Sequence, residues 1–489
     1  MRPRAKGAGG RVGAPVRGPR EEPIRFGTSG WRGVLGEEVT FSRLRVLVRS
    51  IAQWVRETQR TKRVLVGWDG RFASRAMAGI AADVLAEAGL VPELSPVCTP
   101  TPVVTHALAR GRHAAGLVLT ASHNPPAHHG LKVFAASGAG IDDRAARRIE
   151  AIARRRAAAS APAPQHRHRA PARELASAYL EALSAALEVD CWPRTGLTVV
   201  YDAMHGAAGG LLDAWLRRAG VSVEALRAAP DPGFGGGVPD PVAENLAGLV
   251  AATRARSGLV LGVANDGDGD RVGAVDGRGR ILTETQLVAL LVDHLAARGR
   301  LARGVAIGAA TGSLVEKVAR HHGLAVERHP IGFKYLSSAI LAGRVDVAGE
   351  ESGGFAWAPM GPDKDGLLAA ALLAELVATS GLPLESHVDR LEARFGPSAC
   401  GRIALVASPV RGRGLERLLA APPARVDRQR VCAVEGDHGL RLELGDGGFL
   451  MFRRSGTESV LRIYAEAGDG PQLERRLREG VRLIERAGR

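Results

Sequence analysis

The chain is poor in aromatic residues and in cysteine, and each shortage excludes a class of protein. Aromatic side chains make up 4% of its 489 residues, and no aromatic-rich RNA-binding motif is present. The four cysteines lie far apart and form no CxxC pair, which argues against a disulfide framework and against a structural zinc site. We therefore expect a reducing, cytoplasmic environment. The cysteines are Cys98, Cys191, Cys400 and Cys432.

Long apolar runs are also missing. No stretch approaches about 20 uninterrupted apolar residues, so we expect no membrane span. Residues 1–22 are rich in Arg, Gly, Ala and Pro, and no apolar run of signal-peptide length follows their basic positions. We expect a disordered basic tail there.

Lysine is the scarcest charged residue. The formal net charge is +15, and 60 of the 66 basic residues are arginines spread over almost every helix-like segment. This spread indicates compositional drift rather than a basic patch, so we expect no specific nucleic-acid partner. A basic nucleic-acid-binding protein remains the non-enzymatic alternative, and it would bind with a steep salt dependence. The six lysines are Lys6, Lys62, Lys132, Lys317, Lys334 and Lys364.

The chain is too long for one hydrophobic core, and its length corresponds to roughly three or four domains. Residues 64–88, 197–219 and 305–322 share one pattern: an apolar strand, a turn containing Gly or Asp, and an Ala/Leu-rich helix. Each helix closes with Gly and an apolar residue, which is typical of a left-handed helix cap. The sequence thus predicts three α/β units of related design.

Two other segments have a different texture. Residues 154–173 are rich in Arg, Ala, Pro and His without apolar periodicity, which indicates a linker or insertion. After about residue 396, short strands alternate with turns before a closing helix at 471–487, which predicts a smaller α+β domain. The predicted division is a tail (1–22), domain I (23–153), a linker (154–173), domain II (174–275), domain III (276–392) and domain IV (393–489).

A serine lies in a loop after an apolar strand. The sequence TASHNPP at residues 120–126 follows the apolar residues 116–119, so Ser122 is predicted at the carboxyl end of a strand. In open α/β sheets this is where ligands bind. A polar turn ended by Asn-Pro explains the motif alone equally well. A hydroxyl becomes a nucleophile only beside a base or a metal.

A candidate metal loop follows another apolar run. The sequence NDGDGDR at residues 265–271 places three carboxylates at alternate positions, and its glycines let them converge on one hard cation such as Mg²⁺. Counted from Asp266, an EF-hand calcium loop would need Gly sixth and Glu twelfth, where this chain has Arg271 and Gly277. A solvated acidic turn is the remaining alternative.

Two further loops carry groups suited to a sugar phosphate. The sequence RRSGTES at residues 453–459 lies between strand-like segments and offers guanidinium, hydroxyl and backbone N–H donors to a phosphate dianion. The sequence GEESGG at residues 349–354 offers two carboxylates and a hydroxyl to sugar hydroxyls. Each loop alone is also consistent with an ordinary surface turn.

Taken together and in order, these motifs resemble those of the α-D-phosphohexomutases, which include phosphoglucomutase, phosphomannomutase and phosphoglucosamine mutase. The resemblance covers residues from about 23 to 489. The motifs that carry it are an opening motif FGTSGWRG (26–33), a phosphoserine loop (120–133), a metal loop (266–271), a sugar-recognition loop (349–354) and a phosphate-binding loop (453–459).

The resemblance implies a four-domain α/β fold, in which three related domains with mixed sheets and a C-terminal α+β domain surround a central cleft. It implies a Mg²⁺-dependent mutase that moves a phosphoryl group between the 1- and 6-positions of glucose or mannose. The path would run through a phosphoserine and a hexose 1,6-bisphosphate, which also serves as activator. The implied partner is a sugar phosphate, and the protein would be a monomer or a small homo-oligomer.

The same resemblance implies roles for the matching residues. The catalytic group would comprise Ser122, Arg32, His123, Lys132 and Arg271. The phosphorylated Ser122 would hold Mg²⁺ together with Asp266, Asp268 and Asp270. Lys334 would border the cleft, and Glu350 and Ser352 would bind sugar hydroxyls. The non-reacting phosphate would be bound by Arg453, Ser455, Gly456 and Thr457.

Three departures from the family pattern stand out. The chain has Arg454 after the first Arg of the phosphate loop, where an extra guanidinium would strengthen phosphate binding. His128 and His129 replace a frequent Tyr-Asn pair; we expect exposed loop histidines, and the alternative is that either imidazole acts near the cleft. Gly354 stands where several relatives have His, so the sugar stays open and glucosamine phosphate is an alternative. A metal-dependent phosphatase, which would pass the phosphoryl group to water, is the competing enzyme class.

Overall fold

The computed structural model describes residues 23–156, 170–436, 439–454 and 460–489. The predicted basic tail and most of the predicted linker, residues 157–169, lie outside this part of the chain.

The first domain is an α/β sandwich with a five-stranded sheet. Its elements are β1 (Trp31–Val34), α1 (Phe41–Thr58), β2 (Arg63–Trp68), α2 (Ser74–Glu87), β3 (Val91–Leu94), α3 (Thr101–Arg110), β4 (Ala115–Leu119), β5 (His128–Ala135) and α4 (Asp143–Arg156). The sheet order is β1-β5-β4-β2-β3. Strands β2, β3 and β4 are parallel, whereas β5 is antiparallel to β4 and β1 is antiparallel to β5.

The second and third domains repeat this plan with four strands each. The second contains α5 (Ala176–Ala186), β6 (Thr198–Asp202), α6 (Leu212–Arg218), β7 (Ser222–Leu226), α7 (Ala247–Arg254), β8 (Val260–Asn265) and β9 (Val272–Val275). The third contains α8 (Glu284–Ala297), β10 (Gly304–Gly308), α9 (Ser313–His321), β11 (Ala325–His329), α10 (Phe333–Leu341), β12 (Val347–Gly349), β13 (Phe355–Trp357), α11 (Gly366–Ser380) and α12 (Leu384–Phe395).

The three sheets share one topology. The orders β7-β6-β8-β9 and β11-β10-β12-β13 match β3-β2-β4-β5, with three parallel strands followed by one antiparallel strand. Gly89, Gly220 and Gly323 have φ between 72° and 85°, and the next residue donates its N–H back to the helix at 2.9–3.1 Å. These bonds are the Schellman closure that the sequence predicts. The prediction of three related α/β domains with mixed sheets is confirmed.

The fourth domain is a six-stranded antiparallel sheet covered by two helices. Its elements are β14 (Ala399–Val406), α13 (Pro409–Ala420), β15 (Arg425–Val426), β16 (Gln429–Glu435), β17 (Leu440–Leu444), β18 (Phe449–Arg454), β19 (Val460–Ala467) and α14 (Gly470–Gly488). It contacts the third domain through Glu466, whose carboxylate accepts hydrogen bonds from Ser313 and Ser398 at 2.7–2.9 Å. The predicted α+β domain is confirmed.

One apolar core runs through the first three domains. It joins Leu65 of β2, Tyr201 of β6 and Leu372 of α11, while each of these sheets packs its other face into a core of its own. Helix α11 is buried over thirteen of its fifteen residues and packs against β8 and β9 of the neighbouring domain. The fourth domain has a core of its own and shares a smaller buried cluster with Ala309 and Ala310 of the third domain.

A buried charge inside this shared core is fully paired. The Glu375 carboxylate of α11 accepts hydrogen bonds from the Arg300 guanidinium at 2.9 and 3.0 Å and from the backbone N–H of Glu188 at 2.6 Å. His294 contributes a further contact at 2.8 Å. Because a buried unpaired carboxylate is costly, these partners are needed for the helix to lie there.

Two details differ from the sequence prediction. Residues 154–156 belong to α4 rather than to a linker. At the other end of the predicted linker, Pro171 and Arg173 hydrogen-bond the backbone of Leu94, which forms an isolated parallel bridge beside the edge strand β3. No single helix among the described residues has the length and apolar content to cross a membrane, and the pair α11 and α12, which together pass that test, is bent by 89°.

Candidate active site

Three of the loops predicted to form the active site occupy equivalent places in the three repeated α/β domains. The Ser122 loop connects β4 to β5, the metal loop connects β8 to β9, and the sugar-recognition loop connects β12 to β13. Each is the hairpin between the third parallel strand and the antiparallel strand of its sheet. The loop 455–459 between β18 and β19 lies outside the described residues. The repeated topology therefore brings three loops from distant parts of the sequence to one place.

Ser122 is buried and directed at the metal loop. Its Oγ donates a hydrogen bond of 2.6 Å to Asp266 Oδ2, across 144 positions of sequence. The residue has φ of 53°, a left-handed conformation that is costly for a residue with a side chain. Its backbone N–H donates to Thr120 Oγ1 at 2.8 Å. The hydroxyl is thus held against a carboxylate at a strained position, as expected of a functional loop.

The three aspartates of the metal loop converge. Asp266, Asp268 and Asp270 are buried, and each offers one carboxylate oxygen so that the three atoms lie within 4.8 Å of one another. Within the described part of the chain, Oδ1 of Asp268 and Oδ1 of Asp270 have no hydrogen-bond partner. A buried group of three carboxylates with unpaired oxygens suits a hard divalent cation. The residues present therefore fit Mg²⁺.

The surroundings hold this loop in place. Asp268 Oδ2 accepts a 2.5 Å hydrogen bond from Thr101 Oγ1, and its backbone oxygen accepts the N–H of the same residue, the first residue of α3. Asn265 bridges the loop by donating to the carbonyl of Arg271 at 2.8 Å. Burial, followed by the neighbouring carboxylates Asp270 and Asp268, raises the pKa of Asp266 well above its usual range.

Four cations balance these carboxylates. Lys132 Nζ lies between Asp268 and Asp270, at 2.6 and 2.5 Å. Lys364 Nζ lies 3.2 Å from Asp270, and the other two cations are Arg32 and Arg271. Burial opposes the charged form of Lys364, but the nearby Asp270 outweighs it and raises the pKa of this lysine. The Lys364 ammonium therefore remains charged beside the aspartates.

The two arginines have unused donors. Arg32 donates to Asn124 Oδ1 at 2.9 Å, and Arg271 contacts Asp240 at 3.4 Å. In the described structure, the buried Nε of each guanidinium has no hydrogen-bond acceptor. Burial lowers the pKa of Arg32, whereas around Arg271 the burial is outweighed by Asp240 and other carboxylates and its pKa is raised. The site thus contains donors available to an anion beside oxygens available to a cation.

The sugar-recognition loop is hydrogen-bonded to the metal loop. Arg271 and Gly354 form an antiparallel bridge. Ser352 Oγ donates to Glu350 Oε1 at 2.6 Å, and Lys364 Nζ lies 3.9 Å from the same oxygen. Glu350 and Ser352 therefore lie in a loop that pairs directly with the metal loop.

Lys334 borders the cavity next to these loops. A cavity lined by Gly30, Lys132, Asp270, Lys334 and Lys364 lies between the first and third domains. Lys334 Nζ lies 2.5 Å from the carboxylate of Asp143, which begins α4 of the first domain. The structure thus places the predicted cleft residue at the boundary of two domains.

The predicted phosphate loop is only partly described. Arg453 lines a cavity of about 610 Å³ between α13 and the third domain. Arg454, expected to be an additional phosphate donor, donates instead to Glu416 Oε1 at 2.9 Å and to the carbonyl of Gly412. Ser455, Gly456 and Thr457 lie outside the described residues.

The histidines of the Ser122 loop differ in their environments. His123 Nδ1 lies 3.4 Å from Ser122 Oγ, and burial lowers the pKa of this imidazole well below its usual range. His128 is half-buried, and His129 is fully buried against Ser74. The prediction that His128 and His129 are exposed is therefore wrong for His129. Its side chain is buried because β5 begins at residue 128, and residues 129–134 of this strand are all buried.

Sequence reasoning missed three contributors: Arg71, Thr101 and Lys364. Arg71 follows a Gly in what resembles an ordinary turn, and Thr101 lies at a helix start. For Lys364 a signal existed, because the chain has six lysines among 66 basic residues and three of them line the cavity. Lys and Arg are not interchangeable at compact charge sites. In this arginine-rich chain, the rarity of lysine was therefore a signal for Lys364.

Comparison with known proteins supports the geometry. Four family models match the chain: phosphoglucomutase/phosphomannomutase alpha/beta/alpha domain I at residues 23–160, domain II at 177–279, domain III at 283–395 and the C-terminal domain at 405–483. A crystal structure assigned as a phosphomannomutase from Thermus thermophilus is 31% identical with a TM-score of 0.83, covering 95% of this chain and all of the other.

Two curated relatives extend the comparison. A phosphoglucosamine mutase from Frankia alni is 32% identical over 90% of this chain and 94% of its own. A phosphoglucomutase/phosphomannomutase from Thermococcus kodakarensis is 27% identical over 94% of this chain and 98% of its own. With four ordered domain matches and the paired serine and aspartate loops, the chain belongs to the phosphoglucomutase/phosphomannomutase family of α-D-phosphohexomutases.

Proposed function

We propose that the protein interconverts hexose 1-phosphate and hexose 6-phosphate, with Ser122 as the phosphoryl carrier. The observation that carries this proposal is the 2.6 Å hydrogen bond from Ser122 Oγ to Asp266 within the only carboxylate triplet of metal type among the described residues. Asp266 is positioned to accept the hydroxyl proton. Asp266, Asp268 and Asp270 would hold Mg²⁺, which supplies charge neutralisation when bound.

The remaining residues have complementary roles. Phosphoryl transfer depends mainly on positioning and on neutralising the charge of the transferring group. Arg32 and Arg271 carry buried donors without acceptors among the described residues, so they would bind the phosphoryl oxygens. Lys132 would keep the aspartates from repelling that anion, and His123 would orient the serine hydroxyl. Together these residues place positive charge and hydrogen-bond donors where a dianion must enter.

The substrate would be held at both ends. Glu350 and Ser352 would bind sugar hydroxyls, with Lys334 at the mouth of the cavity. Arg453, together with Ser455, Gly456 and Thr457, would bind the phosphate that does not react. A hexose 1,6-bisphosphate would form on the enzyme and turn around, so that either phosphate could face Ser122.

For the sugar we propose glucose or mannose. Phosphoglucosamine is the second candidate, and it is favoured by the name of the Frankia alni relative. Turnover of glucose 1-phosphate, mannose 1-phosphate and glucosamine 1-phosphate on one preparation would rank the three. If glucosamine 1-phosphate turns over more than about tenfold faster than the other two, a difference of about 1.4 kcal/mol, the glucose or mannose assignment is wrong.

The role of Ser122 as carrier is tested by detecting the covalent phosphate on it. The peptide that contains Ser122 should show a phosphate mass increment, and a hexose 1,6-bisphosphate should restore activity after dephosphorylation. Ser122→Ala should lower turnover by several orders of magnitude, whereas Ser177→Ala, on the exposed side of α5, should not. Near-normal mutase turnover in Ser122→Ala would refute the proposal.

Two alternative functions, phosphatase activity and nucleic-acid binding, can be tested on the same preparation. A phosphatase would release inorganic phosphate at the rate at which the sugar phosphate disappears, whereas a mutase would conserve it. A nucleic-acid-binding protein would retain tight, salt-dependent binding in Asp268→Asn.

We also propose a cytoplasmic location, which is supported by four cysteines that remain free thiols in the structure.

A further inference from the structure

A buried arginine underlies the Ser122 loop. Arg71 follows β2, is 3% exposed, and donates four hydrogen bonds to backbone carbonyls of that loop. One terminal nitrogen donates to Ser122 and Asn124, both at 2.6 Å, and the other donates to Pro125 at 2.9 Å and His128 at 3.0 Å. All four acceptors are backbone atoms, so these bonds depend on the shape of the loop rather than on its side chains.

A chain of buried polar groups fixes the arginine from behind. Asp69 Oδ2 lies 3.3 Å from Arg71 Nε, and Asp69 Oδ1 accepts the backbone N–H of Arg71 at 3.0 Å and the Ser74 hydroxyl at 2.6 Å. Ser74 Oγ lies 2.9 Å from His129 Nε2, and His129 Nδ1 accepts the N–H of Gly130 at 2.7 Å. This pattern makes His129 a neutral donor through Nε2. The start and the end of the loop are thus tied to one guanidinium.

A residue of the second domain packs against the same guanidinium. The Arg71 guanidinium lies 4.8 Å from the centre of the Phe234 ring, and Phe234 is itself buried. A planar guanidinium can stack on a ring while its edges donate hydrogen bonds, which an ammonium cannot do. Arg71 therefore connects the domain of the Ser122 loop to the domain of the metal loop.

Ser122 needs such support. A non-glycine residue in the left-handed region is strained and persists only where the surrounding structure holds it there. The carbonyl of Ser122 is one of the four that Arg71 holds. Release of this carbonyl would let Ser122 return to an ordinary conformation, and its Oγ would move away from Asp266.

We propose that Arg71 is a positioning residue for phosphoryl transfer, which fixes Ser122 in its left-handed conformation with Oγ directed at the metal loop. The inference rests on the proposed function of Ser122 as carrier. The hydrogen bonds of Arg71 go to the loop backbone and to Asp69, and none goes to the aspartates of the metal loop. Its loss should therefore lower the rate of transfer to and from Ser122 and leave sugar-phosphate binding intact.

The test compares Arg71→Lys with Arg75→Lys, a matched change on the exposed side of α2. Because a misplacement of about 1 Å can cost about 100-fold in rate, Arg71→Lys should lower kcat by that factor with KM nearly unchanged. The rate at which glucose 1,6-bisphosphate phosphorylates Ser122, followed by mass spectrometry, should fall by the same factor. Arg75→Lys should leave all three quantities unchanged.

A purely structural role gives a different result. If Arg71→Lys has nearly the kcat of the parent, or if KM rises while Ser122 phosphorylation stays fast, the inference is wrong. In Arg71→Ala, millimolar guanidinium chloride should restore part of the phosphorylation rate, whereas sodium chloride at equal ionic strength should not. Equal rates in the two salts would overturn the inference, and an Arg71→Ala protein that does not fold leaves the Arg71→Lys comparison decisive.

Failure of the carrier assignment is distinguishable. If Ser122→Ala keeps its turnover, the proposed function fails, whatever Arg71 does. If Ser122→Ala is inactive and Arg71→Lys is fully active, only the positioning role of Arg71 fails.

Discussion

The substitution Gly366→Ala tests how the metal loop is held. Gly366 begins α11, and its N–H donates to the carbonyl of Gly269 at 3.1 Å. A methyl group at this position would lie 2.6 Å from the carbonyl carbon of Arg271 and 2.8 Å from Nδ2 of Asn265. The first is backbone and the second bridges the loop, so neither can simply rotate away.

The magnitude follows from these distances. Carbon atoms in contact lie about 3.5–4.0 Å apart, so the end of the metal loop would have to move by about 1 Å. Overpacking of this kind costs about 1–3 kcal/mol, whereas Ala in place of Gly in a helix gains at most about 1 kcal/mol. With the full gain subtracted, we expect a net loss of up to about 2 kcal/mol in the free energy of unfolding. A shift of about 1 Å in the aspartates should lower kcat about 100-fold.

The assay measures mutase turnover as a function of Mg²⁺ concentration, together with denaturant unfolding. Gly361→Ala is the matched control, because a methyl group there would meet no atom within 4 Å. Gly366→Ala should show lower kcat and a higher Mg²⁺ requirement than Gly361→Ala. If the two variants have the same kcat and the same Mg²⁺ dependence, α11 does not hold the metal loop and the reasoning fails.

Three further outcomes are expected. Burial alone would raise the pKa of Glu375, but its hydrogen bonds lower this pKa from 4.5 to about 2. The ionised carboxylate therefore stabilises the fold above pH 4.5, and this stabilisation is lost as the pH falls towards 2. The melting temperature of Glu375→Gln should lack that fall at acid pH, and a pH profile parallel to the parent's would contradict the pairing. Lys364→Gln removes one of the two ammonium groups beside Asp270 and should lower kcat about 100-fold, whereas equal activity in Lys364→Gln and the control Lys317→Gln would rule out that role. Arg453→Ala should raise KM about tenfold for both the 1-phosphate and the 6-phosphate, and an effect on one isomer only would contradict a shared phosphate site.

Features that depend on local chemistry could be predicted from the sequence. The glycine caps at Gly89, Gly220 and Gly323 were predictable because a left-handed glycine followed by an apolar residue is a common way to close a helix. The placement of Ser122 and Asp266 after apolar strands was also predictable, because apolar runs and turn residues mark strand ends. Neither feature depends on how the domains pack.

Features that depend on packing between domains could not be predicted in this way. The contact between Ser122 and Asp266 joins hairpins of two sheets, and only the resemblance to a family suggested it. The sequence alone does not single out Arg71, because the carbonyls that accept its hydrogen bonds belong to residues 51 to 57 positions later. The burial of His129 could not be predicted for the same reason, since its partner Ser74 lies 55 positions earlier in the sequence.

The core shared by the first three domains has a consequence for synthesis of the chain. Strands β8 and β9 are complete by residue 275, but α11, which covers them, ends at Ser380. While the ribosome adds the intervening residues, apolar surface of the second domain has no permanent cover. Such surface is prone to aggregation, so we expect nascent chains that end before Ser380 to require chaperones. The fourth domain has its own core and can fold last, when Phe449, Met451 and Tyr464 pack against Ala309 and Ala310 of the third domain.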